Sequence, residues 1–239
     1  MKQLFFTLCL LFSVVANAQQ KSYKLAITQV AQNYYVFTTY KDYQGSPFPA
    51  NGLYVVTDAG VVMIDSPWDT DKTQQLLDSI EIKHHKKVVL AIATHAHADR
   101  TGAFDILKTQ GIKTYSSALT KQLCIEQNEK QAEFVFTKDT TFRVGDLTIN
   151  TFFPGEGHTK DNIVVWFDKD RILYGGCFVK GMSATDLGNI KEANIKAWPV
   201  SVQNTMRQYP MPSLIIPGHQ EWAPGYQCLV HTLKLLSKQ

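Results

Sequence analysis

Residues 88–100 read VVLAIATHAHADR, and this stretch indicates both the fold class and the position of a functional site. The continuous apolar run Val88–Ala93 is typical of a β-strand buried on both faces of a sheet. Directly after it come His95, His97 and Asp99, at alternate positions. In extended or loop backbone, residues i and i+2 point to the same side, so both imidazoles can reach one ion. The stretch therefore predicts a metal-binding loop at the end of a buried strand.

Further segments each place one metal-binding side chain just past a predicted strand. They are Gly157-His158-Thr159, Gly175-Gly176-Cys177 and Pro217-Gly218-His219. In each segment a glycine beside the donor lets the backbone turn sharply. Imidazole, carboxylate and thiolate are donors that zinc prefers. Because such donors recur at separate strand ends, we expect a zinc site rather than polar loops with incidental histidines.

The predicted elements run from strands to helices in each half of the chain. The first half has predicted strands at Lys24–Val30, Tyr34–Tyr40, Gly52–Thr57, Val61–Ile64 and Lys113–Ser116, and helices from Asp71, at Thr101–Gln110 and at Ser117–Asn128. The second half has predicted strands at Thr141–Val144, Leu147–Phe153, Asn162–Phe167, Arg171–Tyr174 and Leu214–Pro217, and helices at Pro199–Tyr209 and Tyr226–Ser237. The stretch Lys41–Pro49, rich in glycine and proline, is interpreted as an exposed hairpin loop without regular structure. No linker separates the halves, which predicts one two-layered α/β domain.

Composition limits the classes of partner. With 239 residues, of which 44% are hydrophobic, the chain can bury a sizeable core without disulfides. Its formal net charge is +3, with acids and bases interspersed, so we expect no nucleic-acid partner. We also expect a monomer, since no stripe typical of an oligomer interface is visible.

The N-terminus has the pattern of a cleaved export signal. Lys2 supplies the positive start, Leu4–Val15 a short apolar region, and Ala16-Asn17-Ala18 a small-residue cleavage site. The apolar region is too short to span a bilayer, so no membrane anchor is expected. We therefore predict a signal peptide at residues 1–18, a domain at residues 19–239, and a periplasmic location.

Together the motifs resemble those of metallo-β-lactamases with one three-histidine zinc site and one Asp–Cys–His zinc site. The matching segments are His95-x-His97-x-Asp99-Arg100, Gly157-His158-Thr159-x-Asp161-Asn162, Gly176-Cys177, Lys180, Leu187-Gly188-Asn189 and Gly218-His219. They follow the family's order across most of the chain, and the combination is highly specific. The resemblance implies an αββα sandwich: two face-to-face sheets with helices outside, in a single domain of two similar halves.

The resemblance also implies an enzyme that confers β-lactam resistance. Its cofactors would be two Zn²⁺ ions, the first on His95, His97 and His158, the second on Asp99, Cys177 and His219. A zinc-bound hydroxide, oriented by Asp99, would attack the amide carbonyl of a β-lactam. Asn189 would bind the substrate and stabilise the oxyanion, while Lys180 would hold the substrate carboxylate.

Several neighbouring residues have supporting or open interpretations. Arg100 is expected near the thiolate, where it would orient ligands. Asp65 is either a similar support or an ordinary turn acid. Tyr43 and Phe48 either form a flap over the substrate or are incidental aromatics. The thiols of the two cysteines outside the ligand set, Cys124 and Cys228, are expected to be buried on opposite faces of the sandwich, without a disulfide between them.

Two other functions stay open at this point. A glyoxalase-II-like thioester hydrolase would share the fold, but such enzymes usually have histidine at the position of Arg100 and a bridging aspartate at that of Cys177. A non-catalytic extracytoplasmic zinc-binding protein would bind metal without needing Lys180 or Asn189. These features favour β-lactam hydrolysis.

Overall fold

The computed structural model describes residues 23–43 and 45–239, which build two sheets. The first sheet contains, in spatial order, β1 (Ala26–Ala31), β2 (Tyr34–Tyr43), β3 (Ser46–Thr57), β4 (Gly60–Ile64), β5 (Val88–Ile92), β6 (Lys113–Ser117) and β7 (Phe134–Phe136). The second contains β8 (Thr141–Val144), β9 (Leu147–Phe152), β10 (Val164–Phe167), β11 (Ile172–Gly176), β12 (Leu214–Pro217) and β13 (Ala223–Pro224). Each sheet therefore comes from one half of the chain. The predicted signal peptide lies outside the described residues.

The helices follow the strands in each half. They are α1 (Thr73–His84), α2 (Ala98–Thr101), α3 (Phe104–Thr109), α4 (Ala118–Glu126), α5 (Trp198–Gln208) and α6 (Gln227–Leu236). As predicted, proline occupies the first turn of α5, where its missing N–H leaves no helical hydrogen bond unmade. No helix within the described ranges has the length and apolarity needed to cross a bilayer.

Alternating side chains of the strands divide the core into separate layers. In β2, Val36 faces the second sheet and packs with Val165 of β10, whereas Tyr35 faces outward and packs with α1 residues such as Leu76. On the outer face of the second sheet, Trp166 packs against α5 and α6. Successive side chains of a strand point to opposite faces of the sheet, so a strand that is apolar on both faces must be covered on both. The order helix, sheet, sheet, helix confirms the predicted αββα sandwich.

The prediction for Lys41–Pro49 was wrong. These residues form regular antiparallel pairs, including Tyr40 with Pro49 and Asp42 with Pro47. The two prolines are tolerated because β3 pairs with β4 only over Leu53–Thr57, which leaves the other side of this hairpin without a neighbouring strand. The hairpin is therefore a two-stranded ribbon that projects from the sheet.

Other differences concern short elements. The predicted helix Thr101–Gln110 is divided into α2 and α3, and α2 begins before Asp99, so this residue lies in a helical turn rather than in a loop. The strands β7 and β13 were not predicted, since segments of three and two residues are too short for a periodic pattern.

The two halves are joined where β3 meets the loop after β12 and where the loop after β5 meets the start of β10. The Asn51 backbone N–H donates to the Gly218 carbonyl at 2.8 Å, and its side-chain amide donates to Gln220 O at 2.7 Å. Likewise, the Ile163 N–H donates to the Thr94 carbonyl at 3.0 Å. These contacts place the strand ends and loops of the two sheets against one another.

Candidate metal centre

The structure brings together the six side chains that the sequence predicted as metal ligands. Their donor atoms form three overlapping groups, each with all atoms within 4.8 Å of one another: His95, His97 and Asp99; Asp99, Cys177 and His219; and His95, His158 and Cys177. The first half supplies its donors from one contiguous segment, the loop after β5 and the first turn of α2, whereas the second half supplies donors from three separate loops.

Tight backbone turns bring the donors of the second sheet inward. Gly176 ends β11 with φ +53°, and a Cβ there would lie 2.8 Å from Oγ1 of Thr94. At Gly218, a Cβ would lie 2.7 Å from the backbone nitrogen of Cys177. Side chains at these positions would therefore separate the loops that carry Cys177 and His219.

Hydrogen bonds orient two of the imidazoles. His219 donates from Nδ1 to the Pro49 carbonyl at 2.6 Å, which turns its Nε2 toward Cys177. His97 is bound through Nε2 to a carboxylate oxygen of Glu192 at 2.8 Å, which turns its Nδ1 toward His95. In both rings the inward nitrogen keeps its lone pair for a metal ion.

The distances between donors fit a tetrahedral zinc site. Cys177 Sγ lies 3.2 Å from His219 Nε2 and 3.4 Å from Asp99 Oδ2, and the latter two atoms are 3.1 Å apart. His95 Nε2 and His97 Nδ1 are also 3.1 Å apart. Zinc bonds of about 2.0–2.3 Å imply tetrahedral edges of about 3.3–3.8 Å, so a small outward movement would accommodate an ion.

The three histidines expected to share one ion lie close together. Their ring centroids are 4.7 Å apart for His95 and His97, 5.0 Å for His95 and His158, and 5.2 Å for His97 and His158. The buried Nδ1 of His158 has no hydrogen-bond partner in the described part of the chain. By donor distances, however, His158 groups with Cys177, which the resemblance assigns to the other ion.

Burial sets the protonation of the donors. Desolvation lowers the pKa of His95 and His158 well below the usual range, so both imidazoles are neutral near pH 7. Burial alone would raise the pKa of Asp99, but Arg100 and His219 hold it well below its usual value. Burial raises the pKa of the Cys177 thiol despite an opposing effect of Arg100, so a metal cation is needed to stabilise its thiolate.

A buried cation supports the Asp99 side of the cluster. Arg100 is fully buried and donates to Asp99 at 2.6 Å and to Asp65 at 3.2 Å. Asp65 also accepts from the Thr94 N–H at 2.7 Å, and the Tyr174 hydroxyl lies 2.9 Å from it. Asp65 is thus part of the buried network rather than an ordinary turn acid.

An open pocket of about 550 Å³ lies above the donors. Lys180 and Asn189 both line it; Lys180 is buried, with its ammonium 5.2 Å from the centre of the Trp198 ring. Burial lowers the pKa of Lys180 to about 8. The Asn189 carbonyl oxygen accepts from the Lys191 N–H at 3.2 Å, which leaves the amide N–H groups available to a ligand.

The projecting hairpin covers one side of this pocket. The rings of Tyr43 and Phe48 lie 5.5 Å apart, and Phe48 lies 5.0 Å from the His219 ring. Both aromatics line the pocket together with Trp68. Their side chains therefore contribute its apolar wall.

Sequence reasoning missed Glu192, Gln127 and Tyr174. Gln127 donates to Glu192 at 3.0 Å, across 65 residues of chain, and Glu192 in turn contacts His97. No motif marks either residue, because isolated polar residues at loop positions carry no periodic signal. Tyr174 was noted only as the end of a strand.

The thiols outside the donor cluster are buried. Cys124 on α4 and Cys228 on α6 are free, and burial raises the pKa of each to about 11. Such thiols are unreactive near neutral pH.

Comparison with known proteins identifies the family. The sequence profile of the "Metallo-beta-lactamase superfamily" matches residues 45–219. The chain is 40% identical over 235 residues to "Metallo-beta-lactamase IND-1" of Chryseobacterium indologenes, with 98% of each chain covered. It is 40% identical over 212 residues to a "Metallo-beta-lactamase type 2" of Bacillus cereus, covering 89% of this chain and 82% of that protein. A solved structure of a metallo-beta-lactamase from Pontibacter korlensis superposes with a TM-score of 0.87 at 36% identity, covering 90% of this chain and 100% of that one.

Proposed function

This chain belongs to the metallo-beta-lactamase superfamily, and we propose that it hydrolyses the amide bond of β-lactam antibiotics with zinc as its cofactor. The observation that carries the proposal is the convergence of imidazole, carboxylate and thiolate donors beneath an open pocket that also contains a lysine. In the reaction, the lactam C–N bond breaks and water is added, which leaves a carboxylate and an amine. Such hydrolysis would confer resistance to β-lactams.

We assign two zinc ions to the cluster. The first would be held by His95, His97 and His158, and the second by Asp99, Cys177 and His219. Three protein donors for each ion leave a position for water or substrate, as in catalytic rather than structural sites. Zinc supplies Lewis-acid chemistry, polarising a carbonyl and making water acidic enough to attack near neutral pH.

Side chains of the pocket would position the substrate. The carboxylate beside the lactam ring is an anion, and the Lys180 ammonium is the group that would bind it. The free amide N–H groups of Asn189 would donate to the oxygen that becomes negative during attack. Asp99, held in place by Arg100, would orient the attacking water as well as bind metal.

The alternative functions fit the site less well. In a thioester hydrolase of the glyoxalase II type, histidine would usually replace Arg100, yet here the guanidinium is buried among fixed acceptors. Cys177 lies within the donor cluster, where such enzymes usually have a bridging aspartate. A protein that only stores zinc would have no use for an open pocket lined by Lys180 and Asn189.

Cellular context follows from the sequence pattern. We propose that residues 1–18 are removed as a signal peptide and that residues 19–239 act in the periplasm as a monomeric domain.

The decisive experiment measures hydrolysis of a chromogenic cephalosporin by purified protein. A strong chelator should abolish activity, and added zinc should restore it, because the nucleophile depends on the metal. Inhibitors directed at serine β-lactamases, added as a control, should have little effect. Full activity in protein shown by metal analysis to be zinc-free would refute the proposal.

A further inference from the structure

The pocket wall contains one carboxylate that the proposed reaction does not use and that has no hydrogen-bond or ion-pair partner among the described residues. Three acidic residues line the pocket, namely Asp99, Glu129 and Asp186. Asp99 is bound to Arg100, and the Asp186 side chain accepts from the Gly188 N–H at 2.7 Å. Within residues 23–43 and 45–239, the Glu129 carboxylate has no hydrogen bond or ion pair, although it is partly buried.

The backbone of Glu129 is held in place at the end of α4. Its N–H donates to the Cys124 carbonyl at 2.8 Å, and the preceding Asn128 adopts φ +57°, which turns the chain back toward the pocket. The backbone that carries the carboxylate is therefore held against the end of α4. Partial burial also raises its pKa, as expected for an acid without a cationic partner.

Glu129 and Lys180 both line the pocket, but they lie beside different predicted ligands. Glu129 follows Gln127, whose amide donates to Glu192, and Glu192 in turn contacts His97. The Lys180 ammonium lies over the Trp198 ring, whose centroid is 5.9 Å from that of His158. The pocket therefore has a cation beside His158 and an anion on the segment that also supports His97.

Nearby lysines do not form an ion pair with Glu129. Lys130 forms an ion pair with Asp105 at 3.1 Å, and the Lys41 ammonium lies 6.0 Å from the centre of the Trp68 ring. The charges of both lysines lower the pKa of Glu129 from a distance, but among the described residues neither forms an ion pair or hydrogen bond with its carboxylate. Glu129 can therefore receive a cation from a ligand without first breaking an ion pair.

We propose that Glu129 favours β-lactams with an ammonium group on the acyl side chain. The inference rests on the proposed function. In a β-lactam, the carboxylate and the acylamino substituent project from opposite sides of the lactam amide. With the carboxylate at Lys180, the acyl substituent would extend into the part of the pocket near His97, which Glu129 also lines. The metal-loaded site is positive, so an ammonium group entering it needs a nearby negative charge.

Ampicillin and benzylpenicillin provide a matched test, because they differ only by the ammonium group on the acyl side chain. The ratio of their kcat/KM values is measured for the wild type, Glu129→Gln and a control, Glu126→Gln. Glu126 is exposed on α4 and does not line the pocket. In Glu129→Gln the ratio of ampicillin to benzylpenicillin should fall about fivefold, through a higher KM for ampicillin, as expected for one partly exposed charge pair. The control should leave the ratio unchanged.

Binding without turnover gives an independent measurement. Calorimetric titration of the zinc-loaded protein with the two hydrolysed drugs should show weaker binding of the ampicillin product to Glu129→Gln, with the benzylpenicillin product unaffected. Thermal unfolding of each variant checks that it is folded. Hydrolysis of both drugs with an unchanged ratio in Glu129→Gln would overturn the inference while leaving the proposed function intact. If the wild type hydrolyses neither drug, the cephalosporin assay still decides the proposed function. Calorimetry with the intact drugs then tests Glu129 alone, and an equal loss of affinity for both would overturn its role.

Discussion

Two polar networks support the donor cluster, and they differ chiefly in their access to water. On the Asp99 side, Arg100 and Asp65 have side chains that are 0% exposed. On the other side, His97 and Glu192 have side chains that are 20% and 37% exposed. Each network holds one predicted ligand through a carboxylate or guanidinium contact of 2.6–2.8 Å.

Because of this difference in exposure, we expect the buried network to affect the stability of the fold and the exposed network to affect metal binding. In the buried network, a charge that loses its partner cannot be solvated, so the free energy of unfolding falls. Burial raises the pKa of Asp65 to about 6 even though Arg100, Thr94 and Tyr174 oppose the shift, which shows how strongly water is excluded there. In the half-exposed network, water replaces a lost partner, so only the orientation of His97 is at stake.

Replacing Arg100 should have the largest effect on stability. Arg100→Met keeps much of the side-chain volume but leaves Asp65 and Asp99 without their buried cation. We expect a loss of about 3–5 kcal/mol in the free energy of unfolding of the metal-free protein, measured by urea denaturation. Arg207→Met, at an exposed position on α5, serves as the control and should change stability by less than about 0.5 kcal/mol. If both variants changed the free energy of unfolding equally, Arg100 would not stabilise the fold more than an exposed arginine does, and the proposed difference between the networks would be wrong.

A smaller loss is expected when the same network loses a neutral member. The Tyr174 hydroxyl accepts from Arg100 at 3.0 Å and lies 2.7 Å from the Asn51 carbonyl. Tyr174→Phe keeps the ring and its packing, so the missing contacts should cost about 1–2 kcal/mol by the same urea measurement. Tyr115→Phe, whose ring packs against Phe134 and Phe142, is the matched control and should stay close to the wild type. A Tyr174 variant as stable as that control would show that its hydroxyl does not support the network.

The donor cluster was predictable from the sequence because each ligand follows an apolar strand. The run Val88–Ala93 identifies β5, and the motif after it needs no information from elsewhere in the chain. His219 is similar, since Leu214–Pro217 is a recognisable short strand. The fold was predictable for a related reason. Apolar strands followed by helices recur in each half of the chain, and a sheet of such strands must be covered on both faces.

Features that depend on distant neighbours were not predictable in this way. Pro47 and Pro49 suggest a loop when considered alone, and only the absence of a strand beside that part of β3 makes them compatible with a ladder. Glu192 and Gln127 meet across 65 residues. Their pairing depends on how two loops pack at the pocket, which no local pattern encodes.

The smallest effect on stability, and a selective one on metal binding, is expected at Glu192. Its carboxylate holds His97 Nε2 at 2.8 Å, which keeps Nδ1 free for the metal. Glu192→Gln replaces this charged acceptor with an amide that binds the ring less strongly. We expect zinc affinity to fall about tenfold, the lower end of effects seen when a ligand's hydrogen-bond partner is lost. Competition against a chromophoric chelator measures this affinity, with Glu126→Gln as the exposed control.

The same variant should scarcely change the stability of the metal-free protein. The pair is partly solvated, so its loss should alter the free energy of unfolding by less than about 1 kcal/mol. Nitrogen-15 spectra of the His97 ring should show Nε2–H as the dominant tautomer in the wild type and a more mixed population in Glu192→Gln. A large loss of stability with unchanged zinc affinity would reverse the assignment, because it would mean that the exposed network supports the fold rather than the histidine. A loss of zinc affinity without a loss of stability would show that the His97–Glu192 network, unlike the buried network around Arg100, supports metal binding and not the fold.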